Sequence, residues 1–188
     1  MSVHALTVDL EDWHQLFHRR LTGEVIPPTP AVVVATHRLL DMLDEVGVRA
    51  TFFVLGNVAD TYPELVRDVV RRGHEIGSHT YNHELIFRTK PAAFKADVER
   101  SLVRLQDLAQ RSILGFRAPE FSVGHPGHWC FEILAELGFR YDSSVFPYHT
   151  LATAFRKRHA SLLPLQRRAA RSTSIPWLPG TLAGSASL

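Results

Sequence analysis

The chain has 188 residues, 45% of them hydrophobic and 21% charged, which suits one globular domain with a substantial core and is too short for two comfortable ones. A formal net charge of +2 is too small to argue for a nucleic-acid partner, and no apolar run reaches the roughly 20 residues of a membrane span. The only cysteine, Cys130, has no intrachain disulfide partner, and the N-terminus lacks a secretory leader pattern, so a cytoplasmic protein is the default expectation.

HALTVDL predicts a first strand, alternating and β-branched, that ends in the acids Asp9, Glu11 and Asp12. After the proline-rich loop VIPPTP, a helix is expected from Pro30 to Val46, with Thr29 as its N-cap and Gly47 as its stop. VRATFFVLG then reads as a strand, Tyr62 to Arg72 as a helix stopped by Gly73, and HEIGS as a short strand. A long helix fits Pro91 to Arg111, with Phe94, Val98, Leu102, Leu105 and Leu108 on one stripe. ILGFRAP is the fourth strand, PGHWCFEILAELG a helix stopped by Gly138, and FRYDSSVF the fifth strand.

Three joints share one grammar: LDEVGVRATFF, VVRRGHEIGSH and LAELGFRYDSS each run from a helix end through a glycine into a strand. Strands alternating with helices imply parallel β/α units, and in such folds the C-terminal strand ends carry the chemistry. That rule selects Asp9 to Asp12, Thr51, Ser78 to His83, Arg117 to Glu120, and Asp142 to Ser144. About five β/α units fall short of the number that closes a barrel. Residues 148–188 form a basic tail, acid-free and without a helix or strand period, which reads as a truncated or altered end to the domain. A tail that binds nucleic acid or an anionic surface is the sharper but less favoured reading.

Within GSHTYNHE, residues 77–84, His79 and His83 are four apart, and helical geometry would put them on one face. With one of the strand-end carboxylates they make a two-histidine, one-carboxylate set, which leaves a coordination position open for water. A second carboxylate beside it can take a proton from that water, and Arg117 can hold that carboxylate ionised and aimed. Each feature also has a plainer explanation. Strand-end acids often cap the next helix, a lone HxxxH is commonly surface, Arg117 can pair with any nearby acid, and Asp-Ser-Ser is a common turn. Joint occurrence at successive strand ends favours the chemical reading.

LTVDLEDW, ATFFVLG, GHEIGSHTYNHE, GFRAPEFS and YDSSVFP, in that order, resemble the polysaccharide deacetylases with a NodB-homology domain, carbohydrate esterase family four. They are most similar to the exosortase-associated branch, which serves exopolysaccharide biosynthesis. The resemblance runs from Val3 to Pro147 and implies an α/β fold, a distorted (β/α) barrel of the NodB-homology type, incomplete here, over residues 1–147. It implies Asp9 as general base, His79 and His83 as metal ligands, and Arg117 as the partner of the base. Pro119, Glu120, Asp142 and Ser143 would shape the substrate groove. Trp13, His14, Phe121 and His125 either line that groove or pack.

Two departures bear on the chemistry. In the family the base is followed directly by a metal-binding aspartate, whereas Leu10 and Glu11 intervene before Asp12. Asp12 is the favoured third ligand, with Glu11 as its rival because an extended strand puts Glu11 on the face of Asp9. The family's late Leu-x-His motif, source of its general acid, is not visible after residue 147; His149 and His159 stand in other contexts. The expected cofactor is a divalent metal, zinc first, with cobalt, nickel, manganese or iron also compatible. The expected substrate is a polysaccharide or oligosaccharide bearing N-acetyl groups. The alternatives are a cyclic amide or imide hydrolase on the same scaffold, and a metal- or carbohydrate-binding domain without turnover. Non-haem iron oxygenase chemistry also suits the ligand set, but the β/α grammar argues against it.

Overall fold

The computed structural model describes residues 4–123 and 129–145, together with the backbone of residues 163–164. In chain order the elements are β1 (Thr7–Leu10), α1 (Trp13–Thr22), α2 (Ala31–Glu45), β2 (Thr51–Val54), α3 (Gly56–Thr61), α4 (Pro63–Arg71), β3 (Glu75–Ser78), α5 (Pro91–Ala109), β4 (Gly115–Phe116), α6 (Trp129–Glu136), β5 (Tyr141–Asp142) and β6 (Leu163–Pro164). The strands lie in the order β1-β2-β3-β4-β5-β6, and the first five pair in parallel with their sequence neighbours. The α/β class and the five parallel strands expected from the sequence are therefore present.

The glycine joints form as expected. Gly47, Gly73 and Gly138 have φ of 65°, 81° and 87°, the left-handed region that ends a helix and turns the chain into the next strand. On α5, the stripe Phe94, Val98, Leu102, Leu105 and Leu108 is buried. Three details differ from expectation. Helix α2 starts at Ala31 with Pro30 as N-cap and no side-chain cap bond, while the Thr29 amide donates to Asp12. Helices α1 and α3 were not expected; α1 is capped by Asp12 and closed by Gly23 at φ 78°, and it buries little apolar surface, so its periodicity signal is weak. Within the tail, the backbone of Leu163–Pro164 pairs antiparallel with β5; the rest of residues 148–188 lies outside the described residues.

Strand register sorts the side chains into two layers. Asp9, Phe53, Gly77, Gly115 and Tyr141 are successive lateral partners and share one face. The alternate positions Leu10, Phe52, Val54, Ile76 and Phe116 belong to the main hydrophobic core, where they meet the buried faces of the helices. The two glycines in the inner row are steric necessities. A Cβ on Gly77 would lie 2.5 Å from the buried Phe53 ring and 3.1 Å from the Gly115 carbonyl oxygen. Gly77→Ala should therefore destabilise the fold by about 1–3 kcal/mol through overpacking. A urea titration with unchanged slope and a lowered midpoint would show this; an unchanged midpoint would contradict it.

Candidate active site

Beyond the last paired residues, the inner face continues two residues further along each strand, so Glu11, His79, Arg117 and Ser143 follow Asp9, Gly77, Gly115 and Tyr141. Here the row turns from apolar to polar. Arg117 is buried and each of its three guanidinium nitrogens is bonded. Nη1 donates to Asp9 Oδ1 at 2.7 Å, and Nη2 donates to Thr7 Oγ1 and Ser143 Oγ, each at 2.8 Å. Nε reaches the Ser143 carbonyl at 3.3 Å. The Phe53 ring, in the space left by Gly77, lies 4.3 Å from the guanidinium carbon and supplies a cation–π contact. These bonds aim the Asp9 carboxylate with one oxygen bound to the guanidinium.

The main chain of Arg117 serves the other half of the site. Its carbonyl oxygen lies 2.8 Å from His79 Nδ1. A carbonyl only accepts, so Nδ1 carries the proton and Nε2 keeps its lone pair free for a metal ion. His79 Nε2 and His83 Nε2 lie 3.2 Å and 3.1 Å from the same atom, Glu11 Oε2. Glu11 Oε2 is buried and has no well-formed hydrogen bond, and the three ligand atoms lie within 4.8 Å of one another. Without a metal, burial raises the Glu11 carboxyl, and the two imidazoles, when they carry protons on Nε2, donate to it and bring it down to about 2; a cation would take the place of those protons. Three converging ligand atoms, one of them a buried carboxylate oxygen with no well-formed hydrogen bond, fit a divalent cation.

Glu11, and not the favoured Asp12, thus joins the two histidines. Asp12 faces the other way and is 1% exposed; its carboxylate accepts from the His14 amide at 3.1 Å and from the Thr29 amide, capping α1. Nor does helical spacing bring the histidines together. The segment after β3 is a loop in which Thr80 and His83 have φ of 70° and 59°. Each such non-glycine residue costs about 1–3 kcal/mol, which the surrounding structure must offset. The Thr80 hydroxyl contributes by accepting from the His83 amide at 3.1 Å.

The expected groove residues divide. Pro119 is buried and Asp142 is 1% exposed, so neither offers surface to a ligand in this conformation. Asp142 instead accepts from the Ser144 amide and hydroxyl, and the Ser144 hydroxyl accepts from the Ala118 amide, bracing the strand that carries Arg117. Ser143 faces the site through Arg117, and exposed Glu120 pairs with Arg20 of α1 at 2.8 Å. Trp13 and Phe121 are 68% and 43% exposed and open to solvent, His14 is also exposed, and His125, His149 and His159 lie outside the described residues. Thr7 belongs to the site without a motif signal; its cue is that it shares a strand face with Asp9.

The sequence profile of the polysaccharide deacetylase family matches residues 26–141, more than half of the chain. The chain belongs to the polysaccharide deacetylase family. It is 40% identical over 92 residues to a chitooligosaccharide deacetylase from Sinorhizobium fredii, covering 49% of this chain and 39% of that protein. It is 31% identical over 86 residues to a peptidoglycan-N-acetylglucosamine deacetylase from Bacillus cereus, covering 46% of this chain and 29% of that one. The crystal structure of a candidate polysaccharide deacetylase from Mycobacterium smegmatis superposes with a TM-score of 0.61 at 31% identity, over 75% of this chain and 50% of that one. The chain thus spans about a third of the length of these curated relatives and half of the solved chain. The α/β architecture with five parallel strands is shared with that structure and is consistent with an incomplete, distorted (β/α) barrel of the NodB-homology type. The profile match begins after Asp9 and Glu11, so those two residues take their assignment from geometry.

Two variants separate the acids. Glu11→Gln should weaken zinc binding by more than the roughly 10- to 100-fold typical of losing a supporting contact. Asp12→Ala should leave affinity near that of the unaltered protein while lowering stability by about 0.5–2 kcal/mol, the cost of a lost N-cap. Isothermal titration with zinc and thermal melting read both quantities. A larger affinity loss in Asp12→Ala would reverse the assignment.

Proposed function

We propose that this deacetylase-family chain hydrolyses the N-acetyl amide of a hexosamine in a polysaccharide or oligosaccharide, using a divalent metal held by His79, His83 and Glu11. The observation that carries this reading is the convergence of those three side chains beside a carboxylate, Asp9, held by Arg117. The names of the two curated relatives, a chitooligosaccharide deacetylase and a peptidoglycan-N-acetylglucosamine deacetylase, support the substrate class. The resemblance of LTVDLEDW and its companion blocks to the exosortase-associated branch supports a place in exopolysaccharide biosynthesis.

A divalent cation at this site supplies Lewis-acid polarisation of the acetyl carbonyl and a water acidified toward neutrality, and zinc fits two imidazoles with one carboxylate. The remaining work belongs to the protein. Asp9 accepts the proton of the attacking water through the carboxylate edge not committed to Arg117. Arg117 fixes the direction of that edge, and because Thr7 and Ser143 hold the guanidinium, it does not follow the proton. The protonated Nδ1 of His79, bonded to the Arg117 carbonyl, keeps the ligand imidazole and the base in one frame. The departing amine must be protonated, since an amide anion is not a viable leaving group at neutral pH, and the proton that Asp9 takes from the water is the one the described residues can return to it. Among the described residues no helix is long and apolar enough to cross a membrane.

Acetate release from N-acetylglucosamine oligomers tests the proposal. Zinc- or cobalt-loaded protein should release acetate, and Asp9→Asn should lose roughly 100- to 10,000-fold in rate while still binding metal. Release that persists in Asp9→Asn would remove Asp9 from the role of base. Metal-loaded, folded protein that releases nothing would contradict the proposed activity.

A further inference from the structure

Within the loop that carries both histidines, the residues between them are tied to α5 on one side and α3 on the other. The Tyr81 amide donates to Asp97 Oδ2 at 2.7 Å, and the Asn82 amide and side-chain Nδ2 donate to Asp97 Oδ1 at 3.2 Å and 3.0 Å. From the opposite side, the Gly56 and Asn57 amides, at the start of α3, donate to the Thr80 and Tyr81 carbonyls at 2.9 Å and 3.2 Å. Tyr81 is anchored at its tip, where its hydroxyl donates to Asp60 Oδ2 at 2.6 Å, and the Arg100 guanidinium lies 3.6 Å above its ring. A Cβ at Gly56 would fall 2.3 Å from the Tyr81 ring, so the loop packs directly on the α3 backbone.

We propose that Asp97 is a positioning residue for the metal centre: its carboxylate clamps residues 81 and 82 and so fixes the left-handed turns that aim His79 and His83 at one point. The inference rests on the metal-centre reading above. Asp97 stands on α5 one position before the core residue Val98, rigidly placed by the helix and touching neither histidine in any bond described. Three N–H groups face its two oxygens, so both must accept, as a carboxylate does. An asparagine of the same shape offers one acceptor and turns an NH2 group against a backbone donor. The clamp acts on geometry: without it, Thr80 and His83 can relax out of the left-handed region and the two Nε2 atoms separate.

Cobalt titration of the full chain, followed by its visible absorption, tests this. Asp97→Asn should bind cobalt roughly 10- to 100-fold more weakly and show an altered spectrum at saturation. Asn82→Ala, which deletes one of the three bonds, should fall between, and Glu99→Ala, an exposed change on the same helix, should match the unaltered protein. Far-UV circular dichroism of the metal-free variants establishes that each is folded. Folded Asp97→Asn with unaltered affinity and spectrum would overturn the inference. If Asp97→Asn does not fold, Asn82→Ala decides by the same measure, with unaltered affinity and spectrum overturning the inference. Failure of the unaltered protein to bind cobalt would overturn the metal-centre reading itself, and the clamp with it.

Discussion

Arg117 bonds to both halves of the site, and the rest of the arrangement depends on those two bonds. Its guanidinium directs the Asp9 carboxylate from one end of the sheet, and its carbonyl fixes the tautomer of His79 from the middle. A buried guanidinium is tolerated only when its donors are satisfied, and Thr7, Asp9 and Ser143 do so from β1 and from the segment after β5. Strands at opposite edges of the first five are therefore tied through one side chain. The same residue is seated on Phe53, which has room because the neighbouring position is Gly77, as Gly115 leaves room for Tyr141.

A change of character along the inner face turns this frame into a site. At the level of Asp9, Phe53, Gly77, Gly115 and Tyr141, the row is mostly aromatic and glycine, close-packed where a Cβ on either glycine would strike a ring. One step further it presents Glu11, His79 and Arg117. Period-two alternation thus places a rigid floor beneath the polar groups. The strain of the left-handed turns at Thr80 and His83 is sustained because the neighbouring peptides bond to elements that cannot easily move. Helix α1 closes one flank: Arg19 bonds to the Asn82 carbonyl and to Glu84, while Arg20 pairs with Glu120.

Much of this was legible in the sequence, for physical reasons. The three helix–glycine–strand joints and the stripe of α5 are local patterns, and local patterns survive folding. The strand-end rule located Asp9, His79, His83 and Arg117 because parallel β/α units put strand ends together whatever the intervening lengths. The choice between Glu11 and Asp12 hinged on parity along β1. Counting two from Asp9 gives Glu11, and the plainer expectation for a strand-end acid, that it caps the next helix, holds for Asp12. Other features were not legible. Helical spacing misdescribes the histidine loop, since nothing local in HTYNH specifies φ above zero at a threonine; distant groups impose it. The resemblance puts Pro119 and Asp142 in the groove wall, yet tertiary packing buries both.

The most direct test of the shared centre is anomalous diffraction at the zinc absorption edge from crystals of the zinc-loaded chain. The prediction is one strong peak about 2.0–2.2 Å from His79 Nε2, from His83 Nε2 and from a Glu11 oxygen. Asp12 should remain at the start of α1, and the Arg117–Asp9 pair should stay intact beside the ion. A peak bound through Asp12, or zinc-loaded crystals with no peak at the two histidines, would contradict it.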